Sequence, residues 1–269
     1  MQYSFILSLK KNISVIEQLS DRIIVQSPPV KGNIPSYTLD IEQMSPGLLA
    51  AIRILAADGA TEDYLSDVVL QTDGFSELPK LYYYLQQFMN LGMICHTVRC
   101  DGFPLATRVP IYPFQSVQFR EVAIDQKYAL SRFAYCHKEQ NQLILESPLS
   151  SAQLILEGWK GAAIIAELSH PQTYQEISQK IPGTSEDAVQ LLFSLLLSTQ
   201  MLDAVDERGQ LPEEANDTLV SWEFHDLLFH SRSRKGRHSN ASGKTFRFLD
   251  QIPQPPMVKP NVSDDIIQL

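Results

Sequence analysis

Several enzyme signatures are missing from this 269-residue chain: it has no GxGxxG, no GxxxxGK[ST], no HExxH and no GxSxG. Dinucleotide binding, P-loop phosphoryl transfer, zinc proteolysis and nucleophile-elbow hydrolysis therefore have no sequence support. Cysteine is scarce as well, with three residues, Cys95, Cys100 and Cys136, and no CxxC pair. An odd count without paired spacing excludes a secreted disulfide framework and fits a reducing compartment, so a cytoplasmic location is expected. A zinc set of Cys95, Cys100, Cys136 and His137 can be written down, but it lacks the short paired loops of structural zinc sites, and thiols buried on strands are the better reading. No apolar run approaches the ~18 residues of a membrane helix, the densest stretch being Leu191 to Leu197. No signal peptide opens the chain, because Gln2 to Leu9 alternates polar and apolar residues. With 44% apolar and 20% charged residues, disorder is excluded too.

What the chain does have is an uneven charge and an internal repeat. Residues 1–220 carry 15 Lys+Arg against 26 Asp+Glu, whereas residues 221–269 carry 7 against 5. Arg232, Arg234, Lys235, Arg237, Lys244 and Arg247 fall in a stretch, residues 230–247, without a single acid. An acidic body repels nucleic acid and anionic membrane, and a short basic segment can hold one anionic group.

The repeat is legible in two places. Ile23-Ile24-Val25-Gln26-Ser27-Pro28 is echoed by Leu143-Ile144-Leu145-Glu146-Ser147-Pro148 at an offset of 120, and Leu85 to Ile94 is echoed by Phe193 to Leu202 at an offset of 108. An insertion at Val30 to Asp40 in the first copy accounts for most of the difference. In the first copy, Tyr3 to Leu9, Ser14 to Gln18, Arg22 to Gln26 and Ser36 to Ile41 read as strands. Ser45-Pro46 caps and opens a helix that stops near Asp58-Gly59, Thr61 caps a second, Leu78 to Leu91 is a third, and Met93 to Val98 closes as a strand. The second copy is predicted as strands Ala129 to Cys136 and Gln142 to Glu146, helices near Ser151 to Leu168, Thr173 to Ile181 and Ser185 to Thr199, and a strand at Met201 to Val205. The expected fold class is α+β: two tandem winged helix-turn-helix domains, residues 1–110 and 111–212, followed by a basic, proline-rich connector at 213–269.

A winged helix most often binds DNA through its third helix, which must offer cations or amides to the major groove. The two third helices, Leu78 to Asn90 and Ser185 to Leu197, offer one lysine and two acids between them. The counterion-release contribution to DNA affinity is then missing, and nucleic acid is not expected as a partner. Their apolar and aromatic surface suits an extended peptide that adds a strand to the sheet edge and drops side chains beside the third helix. The Tyr37 to Leu39 strand is the expected edge, with Tyr82, Leu85 and Met89 as groove residues. Core packing, or contact between the two copies, is the competing use of the same side chains.

From Trp222 the text changes to WEFHDLLFHSRSRKGRH, Trp222 to His238, then GKTFRF, then the proline stretch Ile252 to Pro260. This segment closely resembles the approach to the flavin domain in azoline oxidases of ribosomal-peptide biosynthesis, in particular cyanobactin oxidases of the SagB-type dehydrogenase family. The resemblance implies tandem winged helices similar to leader-peptide recognition elements, followed by an FMN-binding nitroreductase-like domain that oxidises thiazoline or oxazoline rings to azoles. Such a domain needs roughly 200 residues more, and this chain ends at Leu269 within what reads as the start of an element. No position matches the family's catalytic Lys-Tyr pair, so no catalytic residue is carried over and no cofactor is expected on this chain alone. The expected partners are a leader peptide and a separate flavin subunit or dimer mate, and Arg232, Arg234 and Arg237 are candidates for a flavin phosphate. A winged-helix DNA-binding regulator or interaction scaffold is the alternative reading.

Overall fold

Alternating apolar residues build the strands, and helical spacing of leucine and isoleucine builds the helices between them. The computed structural model describes residues 5–19, 21–28, 37–111, 113–114, 117–231 and 233. Strands Ile6–Leu9 (β1), Ser14–Leu19 (β2), Arg22–Gln26 (β3) and Thr38–Ile41 (β4) precede helices Pro46–Ala56 (α1), Glu62–Asp73 (α2) and Leu78–Asn90 (α3). Strands Ile94–Cys100 (β5) and Phe103–Pro110 (β6) follow. The order recurs with Tyr128–Leu130 (β7), Tyr135–Glu139 (β8), Gln142–Glu146 (β9), Ala152–Leu156 (β10), Gly158–Glu167 (α4), Tyr174–Lys180 (α5), Glu186–Ser198 (α6) and Leu202–Ala204 (β11). Two short helices, Asp217–Val220 (α7) and Phe224–His230 (α8), end the described chain. The architecture is mixed α+β, as expected.

Caps mark most helix starts as the sequence signals them. Thr61 accepts from the Tyr64 amide, Ser185 from the Ala188 amide, and Thr173 forms a reciprocal capping box with Glu176. Ser45 is a correction. It occupies the cap position of α1, but its hydroxyl accepts nothing from the helix. Instead Asp73, at the far end of α2, accepts from Ser45 Oγ at 2.5 Å and from the Leu48 amide at 3.1 Å. Gly59 ends the turn after α1 at φ +72°, where an added Cβ would lie 2.4 Å from the Leu7 carbonyl oxygen.

The repeat is visible in the pairing. β2-β3-β4 is a three-stranded antiparallel sheet, and β8-β9-β10 has the same order and sense. β1 bridges Ala60 just before α2, and β7 bridges Gln172 just before α5. The copies then share one sheet of order β1-β5-β6-β10-β9-β8, because β6 pairs antiparallel with β10 from Ala152↔Pro110 to Leu156↔Ala106. That junction crosses residue 110, so the two repeats have a common backbone ladder.

The structure departs from the sequence expectation in four places. Ser151 to Leu168 is not one helix, since its first part is β10. Ala129 to Cys136 is not one strand, since a turn at Ser131 separates β7 from β8. β6, with prolines at both ends, was not expected as a strand. The Val30 to Asp40 insertion is also smaller than expected, because β4 has its counterpart in β10. Tyr3, Ser4, Ser36 and the stretch from residue 234 onward lie outside the described residues.

One apolar cluster runs through both copies. Ile23, Leu48, Leu55, Leu81, Leu85 and Phe88 belong to it from the first, and Leu154, Ile164, Ile177, Leu192, Phe193 and Leu196 from the second. The chain after β11 docks on the second copy. Glu213 accepts from Ser131 Oγ and the Arg132 amide, both at 2.6 Å, and Arg132 reaches the carbonyls of Leu219 and Trp222.

Candidate functional site

The expected peptide edge is β4 and its neighbourhood. Ser27 donates its amide to the Tyr37 carbonyl at 2.9 Å, and its hydroxyl accepts from the Tyr37 amide at 2.9 Å. Main-chain groups alternate sides along an antiparallel strand. With Tyr37, Leu39 and Ile41 turned toward β3, the N–H and C=O groups of Thr38 and Asp40 point away from it. Among the described residues β4 pairs with β3 alone. Thr38 and Asp40 are exposed, and Tyr37 and Leu39 are half-buried.

Asp40 is held by Arg22 through two bonds of 2.9 and 2.5 Å, with Glu42 3.4 Å from the same guanidinium. Hydrogen bonding to Arg22 holds the Asp40 carboxyl below its ordinary range and raises the arginine in turn. The pair tethers one side chain of the edge strand without using its outward main-chain groups.

α3 presents two faces. Leu81, Leu85 and Phe88 are buried, so Leu85 belongs to the core and offers no surface to a ligand. Tyr82 is 44% exposed, its hydroxyl 3.0 Å from Ser66 Oγ, and Met89 is half-buried. The end of α3 meets the start of β4 through Phe114, whose ring lies edge-on to Tyr37 at 5.8 Å while its amide donates to the Asn90 carbonyl. Phe114 is 66% exposed at φ +59°. The structure thus puts Leu39 on β4 with Tyr37 just before it, sets Tyr82 and Met89 on the accessible part of α3, and adds Phe114. No sequence signal marked Phe114, because it belongs to the connection between copies. Arg232, Arg234 and Arg237 lie outside the described residues.

The thiols divide. Cys95 and Cys100 are buried on β5, whereas Cys136 is exposed on β8, against expectation. Among the described residues no group of three or more His, Cys, Asp or Glu could hold a metal ion.

A buried polar pair sits where the copies join. His96 on β5 faces Arg108 on β6, both almost fully buried, and His96 Nδ1 with Arg108 Nε and Nη1 are buried without hydrogen-bond partners. Burial, aided by the arginine's charge, lowers the His96 pKa to about 3, and burial lowers that of Arg108 to about 10. The rings of Phe5 and Phe119 flank His96 at 5.8 and 5.1 Å. Close by, a cleft of about 320 Å³ is lined by Gln118, Arg120, Leu149, Ser150, Ser151 and residues 197–200. In the tail, Trp222 packs on His230 at 5.4 Å and Phe224 on Tyr135 at 5.4 Å, so the conspicuous aromatic run there is partly docking surface.

A three-helix unit whose last helix is followed by a β-hairpin defines a helix-turn-helix class of protein, and residues 1–119 match the ThcOx helix turn helix domain. Residues 128–239 match the cyanobactin oxidase ThcOx. The two matches together span most of the chain, which belongs to the cyanobactin oxidase family, a family of cyanobactin biosynthesis. No curated protein matches it. No helix among the described residues is long and apolar enough to cross a membrane.

Proposed function

We propose that the chain is the leader-peptide recognition part of an FMN-dependent azoline oxidase of the SagB type, acting on thiazoline or oxazoline rings in ribosomally made peptides. In this reading residues 1–110 and 111–212 are two winged-helix units, and residues 213–269 lead toward a flavin domain. The observation that carries it is the edge of β4, which pairs with β3 alone among the described residues and whose start meets the end of α3 through Phe114. A strand added there gains main-chain hydrogen bonds from Thr38 and Asp40 and side-chain contacts with Tyr37, Leu39, Tyr82 and Met89. The DNA alternative gains nothing, since Lys80, the one lysine of α3, is paired with Glu77 at 2.9 Å.

The described residues do not fit a flavin. An isoalloxazine ring needs flat apolar walls, and its phosphate needs several donors. The cleft beside Arg120 supplies one cation and mostly serine, threonine and glutamine groups. In this reading the chain binds the peptide and does not itself catalyse the oxidation. Titration of the purified chain with a synthetic cyanobactin-type leader tests it: saturable binding at physiological salt is expected. If the leader does not bind while a duplex DNA does, the reading is wrong.

A further inference from the structure

Resting on that peptide-binding reading, the second repeat specifies how the site works, because its equivalent edge is already filled. The two sheets superimpose by register. Ile23↔Ile41, Ile24↔Asp40 and Val25↔Leu39 in the first correspond to Leu143↔Leu156, Ile144↔Ile155 and Leu145↔Leu154 in the second. Thr38 and Asp40 therefore correspond to Gln153 and Ile155. In the second repeat these outward positions face Val109 and Thr107 of β6. The same ladder continues on both sides, where the Ile111 amide donates to the Ser151 carbonyl and the Glu157 amide to the Leu105 carbonyl, each at 2.9 Å.

The helix side is filled too. At the offset of 108, Tyr82, Gln86 and Met89 correspond to Gln190, Ser194 and Leu197. Gln190 Nε2 donates to the Val122 carbonyl at 3.3 Å and Ser194 Oγ to the Arg120 carbonyl at 2.8 Å, so the segment leading into the second repeat lies along α6. Leu197 and Ser194 are buried as a result, whereas Met89 is half-buried and Gln86 exposed. Leu154 is likewise fully buried under β6, whereas its counterpart Leu39 is not.

We infer that the chain has one peptide site, not two: β6 is a built-in ligand that closes the second repeat. β4 takes an external extended segment in the corresponding antiparallel register, exchanging main-chain bonds with Thr38 and Asp40. The occupant seen on β10 sets the chemistry of the guest. Its side chains opposite Ala152, Leu154 and Leu156 are Pro110, Arg108 and Ala106. On β4 and just before it the corresponding places are Tyr37, Leu39 and Ile41, so a guest with small residues opposite Tyr37 and Ile41 and a long side chain such as that of Arg108 opposite Leu39 fits.

The test uses the full chain and a synthetic cyanobactin-type leader, read by calorimetry and by amide hydrogen exchange. One leader per chain is expected. The Thr38 and Asp40 amides should exchange fast in the free chain and slow on binding, whereas those of Gln153 and Ile155 should be slow throughout. Thr38→Pro removes one outward N–H at an edge position that tolerates proline, and should weaken the leader roughly tenfold at unchanged melting temperature. Gln153→Pro removes a ladder bond and should destabilise the free chain. Two leaders per chain, equal affinity for the Thr38→Pro variant, or new protection at Gln153 and Ile155 overturns the one-site inference while leaving peptide recognition intact. Absence of any leader binding overturns both.

Discussion

Gly161 marks a close approach of the second repeat to the first. It lies inside α4, and a Cβ built on it would stand 2.2 Å from the carbonyl oxygen of Leu105 on β6. Ordinary contact begins at 3.4 Å, so Gly161→Ala must part helix and strand by about 1 Å. The oxygen is not free to yield, because it accepts the Glu157 amide at the start of the same helix. Overpacking of this kind costs about 1–3 kcal/mol, and a separation of ~1 Å forfeits up to about half of each neighbouring dispersion contact as well. Alanine returns about 1 kcal/mol through its better helix propensity. The expected net loss is about 1–3 kcal/mol, or roughly 3–10 °C in Tm for a chain of this size. Thermal denaturation of Gly161→Ala measures it, and exchange at Gln153 and Ile155 should accelerate because β6 is pushed from β10. A variant as stable as the parent, or more stable, would show that propensity outweighs contact and that the β6–α4 approach is loose.

Two further outcomes follow from groups the fold places together. Asp73→Ala removes the acceptor that caps α1 from the end of α2 and should cost about 1 kcal/mol in urea unfolding, whereas Ser45→Ala should cost less; equal losses would return the cap to Ser45. His96 has a folded pKa near 3 against 6.5 in the open chain, so below about pH 6.5 the unfolded state binds the extra proton. Its contribution is constant above that pH and is lost at about 1.4 kcal/mol per pH unit as pH falls toward 3. Urea midpoints at pH 7 and pH 5 should therefore diverge in the parent and converge in His96→Leu; the same loss in both would place the acid sensitivity elsewhere.

The repeat, the helix cap at Thr61, the helices that begin at Thr173 and Ser185, and the α+β class were legible because each is a local pattern: periodicity, a capping side chain, a turn residue. Tyr37 and Leu39 were legible as residues of a strand at the end of a sheet, and Tyr82 and Met89 as residues of the third helix. Leu85 was not separable from them, because helical spacing does not say which side of a helix faces the core.

The two strands that sequence reading missed are the two that pair with each other. Phe103 to Pro110 is bracketed by prolines, and Ala152 to Leu156 is rich in alanine, glutamine and leucine that favour a helix, so neither has a strand signal of its own. Each is a strand because the other is there to receive its hydrogen bonds, a non-local condition that no window of sequence contains. The same holds for the cap on α1, supplied from 28 residues away. The amino-acid sequence by itself determined two similar units, their helices and an apolar, cation-poor third helix in each. Only the tertiary structure decided that one unit closes the other's edge, since which main-chain groups remain unpaired depends on what strand arrives beside them.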